Sequence, residues 1–369
     1  MSDLTRRRTL QLAAAAAMGP KSKVQGLRSE GPIPTLDLGP GTSDLPGYRI
    51  IDPHVHVWKH DPRFPFALGA RVPERNATPE TLLELMRANQ VEKTVIIQVI
   101  HYLCDNSYLA AVVKQYPQHF QGVCRVDPLD PAAPDHLSKL CQEQGFRAVR
   151  LSPAGDARGD WIRGPLMPPL WERCRSLRVP MTLLAPISRV PDIARLVDRF
   201  PDLTVVIDHM ADCPVDHPEE LEKLVVLVRY PKVFVKISHT WSLSKEAYPW
   251  RDAQRLVKRL YDTFGPRRLM WATDWPMVEA VATYRQALTV VRDDMDFLTA
   301  DDKTWILSKT IEQVWPFREE RRNQLRPRTA RCAFRLPSQR DQTRSIPNLE
   351  TIRCMGLKNA LVDAPSAPT

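Results

Sequence analysis

Two histidines one residue apart, in Ile51-Asp52-Pro53-His54-Val55-His56-Val57-Trp58, are the pair in this chain best placed to do chemistry. The apolar residues before them read as a buried strand, and side chains two apart on a strand share a face. Both imidazoles therefore aim at one point where the strand ends. Two neutral imidazoles suit a divalent cation, or can polarise an oxygen of a substrate. A third imidazole, His209, follows the apolar run Val205-Val206-Ile207-Asp208, and a carboxylate, Asp274, follows Leu269-Met270-Trp271-Ala272-Thr273.

The elements that must carry these residues alternate. Short β-branched runs exchange with longer amphipathic stretches from residue 48 to about 315, which is the mark of a parallel α/β architecture. The expected strands lie at 49–55, 94–99, 121–126, 148–151, 181–184, 203–208, 233–237 and 269–273. Helices are expected between them, one of them at about 218–229 and the last near 280–292 and 301–312. Eight such units match a (β/α)8 TIM barrel in number and length. An open doubly wound sheet would carry a Gly-rich phosphate turn after its first strand, and none is present. A TIM barrel works at the C-terminal ends of its strands. His54, His56, His209 and Asp274 all fall at such ends. Strands one and eight are neighbours once a barrel closes, so Asp274 is expected beside the His-x-His pair.

The segments 51–58, Asp105-Asn106-Ser107-Tyr108-Leu109, Phe200-Pro201-Asp202-Leu203 through Asp208-His209-Met210, Val235-Lys236-Ile237-Ser238 and Leu269 through Pro276 resemble the amidohydrolase superfamily. The likeness is to its amidohydrolase-2 group, which includes lactonases of the 2-pyrone-4,6-dicarboxylate hydrolase and fuconolactonase type. It spans residues 48 to about 317. The resemblance implies a TIM barrel, a hydrolase, and catalysis by Asp274 at the end of strand eight. The chain departs from the metal-rich members. Strand four ends Val149-Arg150-Leu151-Ser152 and strand five ends Leu183-Leu184-Ala185-Pro186, where those members carry a bridging Lys and a His.

Under that resemblance Asp274 is the general base that takes a proton from water as the water attacks an ester carbonyl. One divalent ion, zinc or similar, would draw on His54, His56, His209 and Asp274. A metal-independent route would use the same imidazoles to steady the oxyanion. Arg150 is expected to point outward from strand four and to grip a substrate carboxylate in a fork. Gln98, His101, Asp105 and Asn106 follow strand two and Trp58 follows the His pair, so all five are candidates to line a small-molecule pocket. A zinc-dependent decarboxylase and a barrel that binds ligands without catalysis are the alternatives.

Charge and composition narrow the classes. The 369 residues carry a formal net charge of +9. Residues 318–369 hold eleven Lys/Arg against five Asp/Glu, and residues 1–46 hold six against four, so 47–317 is nearly neutral. A basic stripe with interleaved aromatics is absent, which speaks against a nucleic-acid partner. Seven scattered cysteines without C-x-x-C spacing give neither a disulfide framework nor a cysteine zinc site. No stretch reaches the ~18–20 apolar residues of a membrane span. Three domains follow. Residues 1–46 are a Tat-like signal (Arg6-Arg7-Arg8, then an Ala-rich run) and linker, implying export to the periplasm, with a cytoplasmic protein as alternative. Residues 47–317 are the barrel, and 318–369 are a basic, Arg- and Pro-rich tail expected to be disordered. Neither the substrate nor the oligomeric state is written in the sequence.

Overall fold

The computed structural model describes residues 49–152 and 161–317. The proposed signal and linker and the basic tail lie outside the described residues. Eight parallel strands run in sequential order: β1 (Ile51–Val55), β2 (Lys93–Ile97), β3 (Phe120–Cys124), β4 (Ala148–Leu151), β5 (Met181–Leu183), β6 (Val205–Ile207), β7 (Val233–Lys236) and β8 (Leu269–Met270). The ends of this sheet meet. Val55 bridges Trp275 in parallel, His56 N–H donates to Trp275 O at 2.7 Å, and Asp274 N–H donates to His54 O at 2.9 Å. The chain is thus a (β/α)8 barrel.

Helices fill the crossovers: α1 (Pro79–Ala88), α2 (Ser107–Gln115), α3 (Ala133–Glu143), α4 (Met167–Leu177), α5 (Val190–Arg199), α6 (Glu222–Val225), α7 (Thr240–Leu243), α8 (Arg251–Phe264), α9 (Tyr284–Arg292), α10 (Ala300–Thr304) and α11 (Thr310–Val314). Local signals set their ends. Thr78 caps α1 by accepting from Thr81 N–H, with Pro79 in the first turn, where its missing N–H costs nothing. Thr283 and Gln286 form a reciprocal capping box, so α9 starts at Tyr284 rather than near 280. The single helix expected at 218–229 is instead one short α-turn between two 3₁₀ segments, Pro218–Leu221 and Val226–Arg229. The helix expected at 301–312 is interrupted by a π-turn, Trp305–Lys309.

Every residue of β1, β3, β4, β5, β6, β7 and β8 is buried, as in a sheet wrapped by helices on its outer face. Asp52, fully buried in β1, stitches the β1–β8 seam. Its Oδ1 accepts from the backbone N–H of His54 (3.1 Å) and of Thr273 (3.3 Å), and its Oδ2 accepts from Thr273 Oγ1 at 2.5 Å. Burial outweighs these bonds and raises the Asp52 carboxyl to about 6.

Candidate active site

The seam bonds place Asp274 against the His pair. Its Oδ1 lies 3.2 Å from His56 Nε2 and 3.5 Å from His54 Nε2, and the two Nε2 atoms are 3.3 Å apart. Asp274 sits at φ 55°, so the chain leaves β8 abruptly and turns this carboxylate inward. The His56 ring is fixed from behind, with Nδ1 at 2.8 Å from Ile97 O. A carbonyl only accepts, so Nδ1 carries the proton and Nε2 presents a lone pair to the site. Burial, then the charge of Lys236, lowers the His54 imidazole to about 3, which keeps it neutral.

His209 joins from β6. It begins a left-handed turn in which His209, Met210, Ala211 and Asp212 have φ of 52°, 54°, 55° and 47°. Such backbone costs roughly 1–2 kcal/mol per residue and persists only where the surroundings impose it. The His209 ring lies 4.6 Å from that of His54, and Nδ1 pairs with Ser238 Oγ at 2.8 Å. Burial and the charge of His239 hold its imidazole well below its ordinary range.

His239, which the sequence reading passed over, completes the cluster from the end of β7. Its ring stacks on His209 with centroids 3.5 Å apart and planes 4° apart. Its Nε2 lies 2.7 Å from Asp274 Oδ2, and its Nδ1 lies 3.6 Å from Asp212 Oδ1. Burial would lower this imidazole, but the bonds to Asp212 and Asp274 and their charges win and raise it to about 9. The same contact reverses the effect of burial on Asp274: the hydrogen bond from His239, with the charge of that imidazole, holds its carboxyl well below the usual range. Asp274 is therefore ionised at any neutral pH.

Below the imidazoles lies a second charged layer. Lys236, 0% exposed, has Nζ 3.1 Å from His54 Nδ1 and 3.0 Å from Asp208 Oδ1. The Asp208 contact is an ion contact outside hydrogen-bonding geometry. Arg150 Nε donates to Asp208 Oδ2 at 3.0 Å. Burial alone would raise Asp208, yet Lys236, His54 and Arg150 hold its carboxyl well below its ordinary value. Arg150 thus does not point outward from its strand. It is buried inside the barrel because Asp208 supplies the counter-charge that makes burial tolerable.

Arg125, at the end of β3, is a further residue the sequence reading passed over. Its Nη1 donates to Ser152 Oγ at 3.2 Å, and no carboxylate pairs with it among the described residues. Burial and the nearby charge of Arg150 lower the Arg125 guanidinium to about 10. The remaining candidates hold the mouth together. Asn106 Nδ2 donates to Cys104 O (2.8 Å) and Arg125 O (2.9 Å), and its Oδ1 accepts from Arg125 N–H at 2.9 Å. Gln98 Nε2 donates to Asp105 O, and Asp105 Oδ1 accepts from Ser107 N–H at 2.9 Å. Trp58 Nε1 donates to Arg75 O at 2.7 Å, and the ring of His101 meets the Trp58 ring edge-on at 4.9 Å.

Among the described residues three groups of side chains could hold a cation: His54–His56–Asp274, His54–Asp208–His209 and His209–His239–Asp274. The first fits best. Ligands bound at 2.0–2.1 Å around a tetrahedral zinc stand about 3.3–3.4 Å from one another, and its three donor atoms stand 3.2–3.5 Å apart. Asp274 Oδ1 is also buried without a hydrogen-bond donor, as an oxygen directed at a cation would be. In the third group, the 2.7 Å between His239 and Asp274 is a hydrogen-bond distance, so His239 braces the carboxylate from outside.

A parallel eight-stranded barrel whose C-terminal mouth gathers imidazoles around one ionised carboxylate defines an amidohydrolase-type enzyme. The chain belongs to the Amidohydrolase family, which matches residues 51–317. It is 29% identical over 237 residues to the L-fucono-1,5-lactonase of Burkholderia ambifaria, covering 62% of this chain and 80% of that one. It is 24% identical over 231 residues to the 4-sulfomuconolactone hydrolase of Hydrogenophaga intermedia, covering 61% of this chain and 74% of that one. Among solved structures, an amidohydrolase from Burkholderia multivorans with bound zinc superimposes with a TM-score of 0.64 at 18% identity, covering 73% of this chain and 100% of that one. Among the described residues no helix is long and apolar enough to cross a membrane.

Proposed function

We propose that this protein opens the ring of a lactone bearing an anionic group, by adding water to its ester carbonyl. One observation carries the reading: the buried Oδ1 of Asp274 has no hydrogen-bond donor and sits within 3.5 Å of two imidazole nitrogens. The curated relatives named above, both lactone hydrolases, support the reaction class over the decarboxylase alternative.

Asp274 Oδ1 accepts the proton of a water as its oxygen bonds to the ester carbon. Charge then gathers on the carbonyl oxygen, where a neutral imidazole N–H from the histidine pair stabilises it. When the tetrahedral carbon collapses, the ring C–O bond breaks and the departing oxygen takes the proton back from Asp274. The product hydroxy acid ionises at neutral pH, so each turnover releases one proton. His239 keeps Oδ2 engaged, which leaves Oδ1 facing the reactants. Arg125 places a positive charge at the end of β3, where a carboxylate or sulfonate on the substrate would meet a guanidinium that has no carboxylate partner among the described residues, while Arg150 stays paired with Asp208. A divalent ion, if held by His54, His56 and Asp274 with His209 beside them, would supply Lewis-acid polarisation of the ester.

The test is a proton-release screen of aldono-, mucono- and pyrone-type lactones with the purified full-length protein, repeated on Asp274→Asn. Hydrolysis of at least one anionic lactone is expected, with kcat reduced about 10²–10⁴-fold in the variant. Undiminished turnover by folded Asp274→Asn would remove the base.

A further inference from the structure

The ring nitrogens of the His pair form a chain with a direction. At one end stands Lys236, whose ammonium has three donors and no acceptor. At the other stands the carbonyl of Ile97, which only accepts. Between them the spacings are 3.1 Å from Lys236 Nζ to His54 Nδ1, 3.3 Å from His54 Nε2 to His56 Nε2, and 2.8 Å from His56 Nδ1 to Ile97 O. A neutral imidazole has one N–H and one lone pair, so each ring passes on one donor. Only one arrangement satisfies every link: Lys236 donates to His54 Nδ1, His54 Nε2–H donates to His56 Nε2, and His56 Nδ1–H donates to Ile97 O.

We propose that Lys236 is the positioning residue that selects the tautomer of His54, holding its proton on Nε2, where it is shared with His56 Nε2 until a carbonyl oxygen entering the pocket takes that hydrogen bond over. The alternative tautomer has an acceptor waiting. Asp208 Oδ1 lies 3.5 Å from His54 Nδ1 and takes no hydrogen bond. Lys236 lies between the two outcomes, touching both Nδ1 and Oδ1. While its ammonium points at Nδ1, the Nε2 lone pair that a cation requires does not exist. A divalent ion can use His54 only after the proton moves to Nδ1 and that N–H turns to Asp208. Lys236 thus sets the balance between a donor site for a carbonyl oxygen and a ligand site for a metal. Arg150 keeps Asp208 ionised on its other oxygen, so the acceptor remains available whichever way the lysine points.

The inference gives the hydrolase reading its oxyanion donor, but its test uses no substrate. Metal-depleted, full-length protein labelled with ¹⁵N-histidine is examined by long-range ¹H–¹⁵N correlation, with the His54 signals assigned from a His54→Asn variant. The expected spectrum shows the proton of His54 on Nε2 and a bare Nδ1. In Lys236→Met the proton is expected to move to Nδ1. Zinc titration by calorimetry should then show binding about 10–100-fold tighter than in the parent protein, the size usual for changes in the partners of a ligating histidine. A His54 proton found on Nδ1 in the parent protein overturns the proposal. So does tighter zinc binding in Lys236→Met with the proton still on Nε2, since loss of charge alone would do that. Should Lys236→Met not fold, the same two measurements are made on Lys236→Leu, and a His54 proton that stays on Nε2 in either folded variant overturns the proposal. Failure of every lactone in the screen would sink the hydrolase reading and leave this tautomer standing.

Discussion

His239 Nε2 lies 2.7 Å from Asp274 Oδ2, and this contact leaves the other oxygen of the carboxylate as the one that faces the paired imidazoles. The imidazole is itself held at two further places: stacked on His209 and tied to Asp212 at its far nitrogen. Replacing it by Gln should lower kcat about 10–100-fold, the usual cost of losing an orienting partner. Steady-state kinetics would check this, and an unchanged kcat in a folded variant would deny His239 any part in aiming Asp274.

The same residue gives a pH signature in stability. The fold raises the His239 imidazole from 6.5 to about 9. The folded state binds that proton more tightly, so its contribution is complete below pH 6.5 and disappears as pH climbs through 9, a loss of up to about 3 kcal/mol. Urea midpoints of metal-depleted protein should fall across that window, and fall less in His239→Gln. Parallel curves would contradict the assignment.

Asp52 works with the opposite balance for a carboxylate. Its folded value near 6 exceeds the ordinary 3.8, so its contribution is present below pH 3.8 and is lost as pH rises through 6. Asp52→Asn should therefore gain on the parent protein between pH 4 and pH 7, by up to about 3 kcal/mol. Thermal melts of the two proteins at both pH values measure that difference directly.

Removing the counter-ion of the lower layer should be severe. Asp208→Asn leaves Lys236 and Arg150 buried without an anion between them. Breaking a buried pair costs about 3–5 kcal/mol. Chemical denaturation is the check, and a loss under about 1 kcal/mol would mean that water reaches this layer.

Arg125 bears on affinity rather than turnover. Arg125→Gln should raise KM for anionic lactones about 10–100-fold, in line with the ~1.5–3 kcal/mol of a charged hydrogen bond. kcat should change little, because the anion sits away from the reacting carbon in ground and transition state alike. A neutral lactone of the same ring size should show no change in KM.

Much of this was legible in the chain. Apolar runs marked the barrel strands to within a few residues, because a parallel sheet covered by helices needs unbroken apolar segments. The shared strand-end position of His54, His56, His209 and Asp274 follows from strand order alone. What escaped depends on side-chain direction and partners. Arg150 reads as a mouth residue until Asp208 is seen beneath it. His239 hides in Ile237-Ser238-His239, one residue beyond where a strand pattern stops being informative, and turns in at φ 68°. Arg125 is set apart only by having no carboxylate partner among the described residues. The broken helix at 218–229 was missed because amphipathic spacing does not distinguish α from 3₁₀ turns over so few residues.

The Val55–Trp275 bridge means that the reactive centre draws on segments separated by nearly the whole barrel. Under the proposed mechanism, a nascent chain that has emerged as far as β7 owns the imidazoles but not the acid, and is expected to be chemically silent. Competence arrives last, with ring closure between distant parts of the polypeptide, the slowest kind of contact to form. A single nick or a shortened message that costs the strand at 269–270 and its following turn would therefore abolish turnover outright, however well the preceding units hold together.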